Sequence, residues 1–105
     1  MEVVKSVEQF NEQIAQDHLT VEIFTTTWCP DCKRLDMFID EIVAEHPDKK
    51  WYKVDKDEFP ELAEQYDVMG IPSLLLYKNG EKVAHLHSAH VKSPDQVRAF
   101  LNEWA

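Results

Sequence analysis

The chain has 105 residues, a common size for a single domain, and its 44% hydrophobic and 10% aromatic content is enough to bury a core. Its net charge of −9 disfavours binding to nucleic acid or to anionic membranes, because both need a surface rich in Lys and Arg. No segment approaches the roughly 20 apolar residues of a membrane span, and the acidic N-terminal stretch lacks the apolar run of a signal peptide. We expect one domain over residues 1–105, located in the cytoplasm, where thiols are kept reduced.

The first half of the chain alternates between strand and helix patterns. Residues 3–4 predict a short first strand, and an amphipathic helix pattern follows it. Residues 19–25 predict a mostly buried strand with one polar interruption, Glu22. Apolar positions at helical spacing then predict a single second helix, which begins near residues 29–31 and ends before Pro47.

The second half adds two more strands that run side by side. Residues 51–55 predict a third strand, residues 59–68 a short helix and residues 73–77 an apolar fourth strand. The dipeptide Asn79-Gly80 is typical of a two-residue hairpin turn, so the fifth strand returns antiparallel, and a last helix begins at 93–94. The order βαβαβαββα predicts an α/β fold with one central mixed sheet flanked by helices on both faces.

The sequence TTTWCPDCKRL, residues 25–35, contains both cysteines of the chain, Cys29 and Cys32. Two thiols at this spacing could form a redox pair, half of a metal site or a structural disulfide. A disulfide that closes so short a loop constrains little chain entropy, and reducing compartments disfavour it. Cys29 stands where a strand passes into a helix, and a helix N-terminus favours the nucleophilic thiolate. Cys32 is one turn further on, so the spacing favours a redox pair.

Two residues between the cysteines are expected to tune this site. Pro30 has no N–H, so one hydrogen-bond donor near the Cys29 sulfur is missing. Asp31 places a negative charge beside the developing thiolate and opposes it. Asp31 is equally suited to a structural role in the first turn of a helix. Lys33 and Arg34 could offset its charge if they point the same way.

The segments FTTTWCPDCKRL, YKVDKDE and YDVMGIPSLLLYKNGE, followed by the final amphipathic helix, resemble thioredoxin in the same order and at similar spacing. The resemblance covers nearly the whole chain. The motif W-C-P-D-C is similar to that of a cytosolic thioredoxin-related group and differs from the usual W-C-G-P-C. The resemblance implies the thioredoxin fold and a thiol–disulfide oxidoreductase.

The resemblance also implies roles for individual residues. Cys29 would be an exposed nucleophile and Cys32 a buried resolving thiol. Pro72 would follow a cis peptide bond that faces the cysteines, and the backbone of Ile71 would pair with the incoming substrate. Trp28 would shield the site and contact the partner, unless it is simply part of the core.

The chain departs from the family at two positions. The buried aspartate that usually accepts the proton of the resolving cysteine is replaced by Ile23, and the adjacent Glu22 should face the other side of the sheet. Asp31 or a water is the alternative acceptor. A glycine that is usual in the loop after the fifth strand is replaced by Ser88.

The leading hypothesis is an enzyme that reduces disulfides of proteins or small molecules, with a thioredoxin reductase or a low-molecular-weight thiol as electron donor. We expect a monomer without cofactor or metal. The rival hypothesis is a binding module, either a redox-inactive adaptor or a dimer that bridges an iron–sulfur cluster through Cys29. The presence of Cys32 and Pro72 disfavours it. His85, His87 and a third histidine at position 90 suggest a metal site, but a solvated edge strand explains them better.

Overall fold

A computed structural model describes residues 1–104. Within that range the chain forms a five-stranded sheet with helices packed on both faces. The strands are β1 (Glu2–Val3), β2 (Thr20–Thr25), β3 (Lys50–Asp55), β4 (Ser73–Lys78) and β5 (Glu81–Leu86). The helices are α1 (Val7–Ile14), α2 (Pro30–Asp36), α3 (Ile39–Glu45), α4 (Pro60–Gln65) and α5 (Pro94–Asn102), and a 3₁₀ turn spans Ser88–His90. Over these residues, no helix combines the length and the apolar character needed to cross a bilayer.

The sheet has the mixed topology that the order of elements predicts. Its strand order is β1-β3-β2-β4-β5. Strands β1, β3 and β2 are parallel, whereas β4 is antiparallel to both β2 and β5. The turn between β4 and β5 has φ angles of 53° at Asn79 and 84° at Gly80. Two positive φ angles define the hairpin turn that this dipeptide predicts.

Alternation along β2 divides the interior into two apolar clusters. Phe24 packs with α1 and α4 on one face of the sheet. Val21 and Ile23 pack with α2, α3 and α5 on the other face. The cysteine segment therefore leaves β2 over the second cluster, since α2 covers that face. Complete burial of a Val, Ile or Phe side chain contributes about 1.5–3 kcal/mol to folding.

The region between β2 and β3 contains two helices where the sequence predicts one. The N–H groups of Met37 and Phe38 bond to the carbonyls three residues earlier, at 3.2 and 3.1 Å, so the last turn of α2 tightens. Phe38 then leaves the helical region, with φ −127° and ψ −9°, and α3 starts at the next residue. The prediction of one continuous helix is wrong in this detail, and α2 remains a short helix that begins at the cysteines.

Candidate active site

Cys29 is the N-cap residue of α2. Its backbone is extended, with φ −80° and ψ 121°, and its sulfur accepts a hydrogen bond from the backbone N–H of Cys32 at 3.2 Å. A helix leaves its first N–H groups without intrahelical partners, and here the sulfur takes the place of the usual capping oxygen. Pro30 occupies the first helical position, where an N–H is not needed. Both thiols are free.

The two cysteine residues differ less in exposure than the resemblance implies. Cys29 is 6% exposed and Cys32 is 1% exposed. The expectation of a freely exposed Cys29 is therefore corrected: both residues are buried, and Cys29 is the more accessible. Burial and a hydrogen bond with Cys29 raise the pKa of Cys32 well above its ordinary value, while hydrogen bonds with Thr25 and Thr26 oppose this shift. Cys32 therefore remains a protonated thiol at neutral pH.

The Gly-Ile-Pro segment lies against Cys29, as the resemblance implies. The peptide bond between Ile71 and Pro72 is cis. The sulfur of Cys29 lies 3.9 Å from the carbonyl oxygen of Ile71. Pro72 is buried and Ile71 is partly exposed, so the backbone before the proline borders the accessible side of Cys29.

Trp28 belongs to the surface of the site. Its side chain is 63% exposed, which rules out the alternative that it is part of the core. The indole N–H donates a hydrogen bond of 2.7 Å to the carboxylate of Asp57, in the turn that follows β3. This bond fixes a large apolar ring beside Cys29 at the surface.

Asp31 is held by two cations. Its carboxylate accepts hydrogen bonds from Lys92 at 2.8 Å and from Arg34 at 3.0 Å. The hydrogen bond and charge of Lys92 hold the pKa of Asp31 below its ordinary value, and the charge of Arg34 acts in the same direction. Both oxygens are occupied by these partners, so Asp31 is poorly suited to accept the Cys32 proton.

The two residues that could replace the family's buried aspartate behave very differently. Ile23 is 1% exposed and packs in the apolar cluster beneath α2. Glu22 is fully buried, and neither of its carboxylate oxygens has a hydrogen-bond partner among residues 1–104. Burial raises the pKa of Glu22 to about 9, so this carboxyl is neutral at pH 7. It faces the opposite side of the sheet, as alternation predicts, and is therefore separated from the cysteines.

A sequence model of the thioredoxin family matches residues 2–103. The chain belongs to the thioredoxin family. It is 38% identical over 95 residues to Thioredoxin-1 of Saccharomyces cerevisiae, covering 90% of this chain and 92% of that protein. It is 40% identical over 100 residues to the thioredoxin of Chlamydia trachomatis, with 95% of each covered. The solved structure of Plasmodium falciparum thioredoxin has a TM-score of 0.90 and 28% identity over the full length of both chains.

These matches confirm the thioredoxin fold and the predicted activity. The protein is a thiol–disulfide oxidoreductase, and the alternative of an adaptor or cluster-bridging module is not favoured. As a member of the thioredoxin family, it has protein disulfides as substrates and a reductase as electron donor.

The structure adds two thioredoxin-site residues that sequence reasoning missed. Asp57 lies within the segment YKVDKDE, but its bond to Trp28 joins residues 29 positions apart. Lys92 is 61 positions from Asp31 and follows the 3₁₀ turn after β5. No local pattern predicts either pair, because both depend on how β3 and β5 end relative to α2.

The loop after β5 is also in direct contact with the Gly-Ile-Pro segment. A Cβ atom on Gly70 would overlap the hydroxyl oxygen of Ser88. Ser88, the residue that replaces the family's usual glycine, is therefore accommodated because position 70 has no side chain. The backbone of the Gly-Ile-Pro segment thus packs against a side chain of the loop after β5.

Of the three histidines for which the sequence predicts an edge strand, only His85 lies on β5; His87 follows the strand and His90 ends the 3₁₀ turn, so the prediction is wrong for these two. The rings of His85 and His87 stack with their centroids 3.8 Å apart. Burial, followed by the charges of His87 and Lys82, lowers the pKa of His85 to about 4. In the described part of the chain, no three His, Cys, Asp or Glu side chains form a group that could hold a metal.

Proposed function

We propose that Cys29 attacks substrate disulfides and that Cys32 resolves the mixed disulfide that results. The observation that carries this assignment is the hydrogen bond from the Cys32 N–H to the Cys29 sulfur at 3.2 Å. This bond favours a thiolate at Cys29, at the N-terminus of α2, whereas Cys32 is buried and keeps its proton. Cys29 is also the more exposed of the two cysteine residues.

The exchange takes place in two steps. The Cys29 thiolate attacks one sulfur of the substrate disulfide, and the other sulfur leaves as a thiolate. Cys32 then loses its proton and attacks the Cys29 sulfur, which releases the second substrate thiolate and forms the Cys29–Cys32 disulfide. The protein dithiol is oxidised by two electrons and the substrate disulfide is reduced by the same two.

The substrate segment next to the disulfide lies along the backbone of Ile71. A carbonyl 3.9 Å from the attacking sulfur supports an extended peptide that pairs with Ile71 as an added strand. The ring of Trp28, 63% exposed, supplies apolar contact on the same surface, and Pro72 holds the Ile71 backbone in place. Small-molecule disulfides would contact only the Cys29 sulfur.

The finer cellular role is also part of the proposal. A catalytic dithiol turns over only where a donor keeps it reduced, which supports action in the cytoplasm with a thioredoxin reductase or a low-molecular-weight thiol as donor. The net charge of −9 supports partners other than nucleic acid or membrane. The protein acts as a monomer, because a dimer through this surface would cover Trp28 and Ile71.

An insulin-reduction assay tests the proposal. The protein should reduce insulin disulfides when supplied with NADPH and a thioredoxin reductase, and Cys29→Ser should abolish the activity. Parallel assays with reduced glutathione identify the preferred donor. Activity that survives in Cys29→Ser would contradict the assignment of the nucleophile.

A further inference from the structure

The loop after β5 contacts both of the segments that flank the active site. At one end of the loop, Ser88 packs against Gly70 of the Gly-Ile-Pro segment. At the other end, Lys92 donates a hydrogen bond of 2.8 Å to Asp31 in the first turn of α2. The loop therefore borders the surface on which the substrate segment lies in the proposed mechanism, and the two-step exchange assigns no role to it.

The 3₁₀ turn in this loop holds the Ser88 side chain in a defined place. The backbone carbonyl of Ser88 accepts the N–H of Val91 at 3.2 Å, and the carbonyl of His87 accepts the N–H of His90 at 2.8 Å. Val91 is 3% exposed and packs in the apolar cluster beneath α2. Because the turn is anchored to the core, a partner that binds the Ser88 hydroxyl does not have to order the loop first.

The Ser88 hydroxyl lies where a side chain of residue 70 would otherwise lie. A Cβ atom on Gly70 would overlap the Ser88 Oγ, so the hydroxyl lies directly beside the backbone of the residue before Ile71. Ser88 is partly exposed, and its hydroxyl forms no hydrogen bond within residues 1–104. A hydroxyl group can donate one hydrogen bond and accept two. It is therefore available to a molecule that lies over Ile71.

The backbone next to Ser88 leaves a peptide strand in need of an acceptor. Neither backbone group of Ile71 forms a backbone hydrogen bond within residues 1–104, so both can pair with an added strand. The carbonyl of Gly70, however, already accepts the hydroxyl of Ser73 at 2.6 Å. A peptide N–H that loses water without gaining a partner costs free energy. The Ser88 oxygen is the acceptor beside Gly70 that has no partner.

We propose that Ser88 is a specificity-determining residue whose hydroxyl accepts a hydrogen bond from a backbone N–H of a protein substrate that lies along Ile71. This inference rests on the proposed function, in which the substrate segment pairs with Ile71 while Cys29 attacks. A disulfide within a peptide chain can form this bond, whereas a small disulfide without peptide groups cannot. Ser88 therefore favours protein disulfides over small ones.

Single-turnover reduction of two different disulfides tests this role without a reductase. The protein is reduced beforehand and mixed with an excess of insulin or of dithiobis(nitrobenzoate), which has no peptide N–H. Ser88→Ala keeps the Cβ and removes the hydroxyl. It should lower the second-order rate constant for insulin by roughly 2- to 10-fold, the usual effect of one neutral hydrogen bond, and leave that for dithiobis(nitrobenzoate) unchanged. Ser88→Thr keeps a hydroxyl and should stay close to the unmodified protein with both disulfides.

Thr27→Val is the matched control. Thr27 is exposed two residues before Cys29, and its hydroxyl also forms no hydrogen bond within residues 1–104, but it lines a cavity between α2 and β3. This variant should leave both rate constants unchanged. The role of Ser88 is overturned if Ser88→Ala reduces insulin at the normal rate, if it loses as much with dithiobis(nitrobenzoate), or if Thr27→Val loses as much with insulin. An unmodified protein that reduced neither disulfide would overturn the proposed function, and this inference with it.

Discussion

The sulfur of Cys29 lies 3.9 Å from the carbonyl oxygen of Ile71, which is 42 residues further along the chain. This contact joins the N-terminus of α2 to the segment before β4. In the proposed mechanism, a disulfide that reaches Cys29 passes over the backbone of Ile71. Recognition and chemistry would then share one small surface, which is bordered on one side by Trp28.

Removing the hydrogen bond that holds the Trp28 ring should weaken the binding of protein substrates. Asp57→Ala removes the 2.7 Å hydrogen bond that fixes the indole, so the ring loses its defined position. We expect a higher KM for insulin and an unchanged rate with dithiobis(nitrobenzoate), which needs only the sulfur contact. Asp95→Ala, in the first turn of α5, is the control. An equal loss with both substrates would show that Asp57 acts on the cysteines rather than on the partner surface.

The pair Asp31 and Lys92 should affect the Cys29 thiolate in opposite directions. Asp31→Asn removes a negative charge two residues after Cys29 and should increase the thiolate fraction at a given pH. Lys92→Met removes the cation that holds Asp31 at 2.8 Å and should decrease it, while the double variant should lie close to the unmodified protein. The rate of iodoacetamide alkylation as a function of pH measures this fraction. Added salt should shrink both effects, because the pair is exposed to solvent.

Asp31→Asn also tests the alternative in which Asp31 accepts the Cys32 proton. In a stopped-flow reaction with dithiobis(nitrobenzoate), the first nitrothiolate is released by the attack of Cys29 and the second by the attack of Cys32 on the mixed disulfide. If Asp31 were the acceptor, Asp31→Asn would slow the second phase of this reaction whatever happened to Cys29. We expect the second phase to keep its rate, because Lys92 and Arg34 occupy the carboxylate. If Asp31→Asn and Lys92→Met changed the Cys29 thiolate fraction in the same direction, the electrostatic explanation would be contradicted.

Glu22 should make the protein less stable as the pH rises. Burial raises the pKa of Glu22 from 4.5 to about 9, so between these values the folded state binds a proton that the unfolded state has released. The contribution of this group is fully present below pH 4.5 and is lost as the pH rises towards 9. Glu22→Gln keeps the shape without the titration, so its free energy of unfolding should increase relative to the unmodified protein across this window.

Urea unfolding at several pH values measures this difference, and Glu61→Gln at an exposed position of α4 is the control. If the free energies of unfolding of Glu22→Gln and the unmodified protein changed with pH in the same way, Glu22 would have an ordinary, solvated environment.

Gly70→Ala should destabilise the fold through its contact with Ser88. The added Cβ overlaps the Ser88 hydroxyl, and overpacking of this kind costs about 1–3 kcal/mol. Ser88→Gly removes the obstructing atoms, so the double variant should recover most of the lost stability in urea unfolding. If the double variant remained as unstable as Gly70→Ala, the cause would be a change at position 70 itself and not the contact.

Local patterns predicted the parts of the structure that depend on neighbouring residues. The Asn79-Gly80 turn needs two positive φ angles, and few dipeptides other than this one accept them. Alternation along β2 placed Ile23 and Glu22 on opposite faces. The position of Cys29 at the start of α2 followed from the change from strand to helix pattern.

The degree of burial of a side chain, and the contacts between residues far apart in the sequence, could not be predicted in this way. Alternation gives the face of Glu22 but not its complete burial, which depends on how closely α1 covers the sheet. The bond between Asp31 and Lys92 depends on where the chain emerges after β5. The break between α2 and α3 at Phe38 interrupts a stretch whose apolar spacing remains helical throughout, so the pattern alone does not reveal it.

Covalent trapping decides between the two cysteines as attacking residue. Cys32→Ser removes the thiol that would release the substrate, so mixed disulfides with protein partners should accumulate at Cys29 and disappear on treatment with dithiothreitol. Peptide mass spectrometry of the trapped species identifies the bonded cysteine. Cys29→Ser should form no such species. Accumulation of mixed disulfides at Cys32 in the Cys29→Ser variant, with none in Cys32→Ser, would reverse the roles and contradict the proposed mechanism.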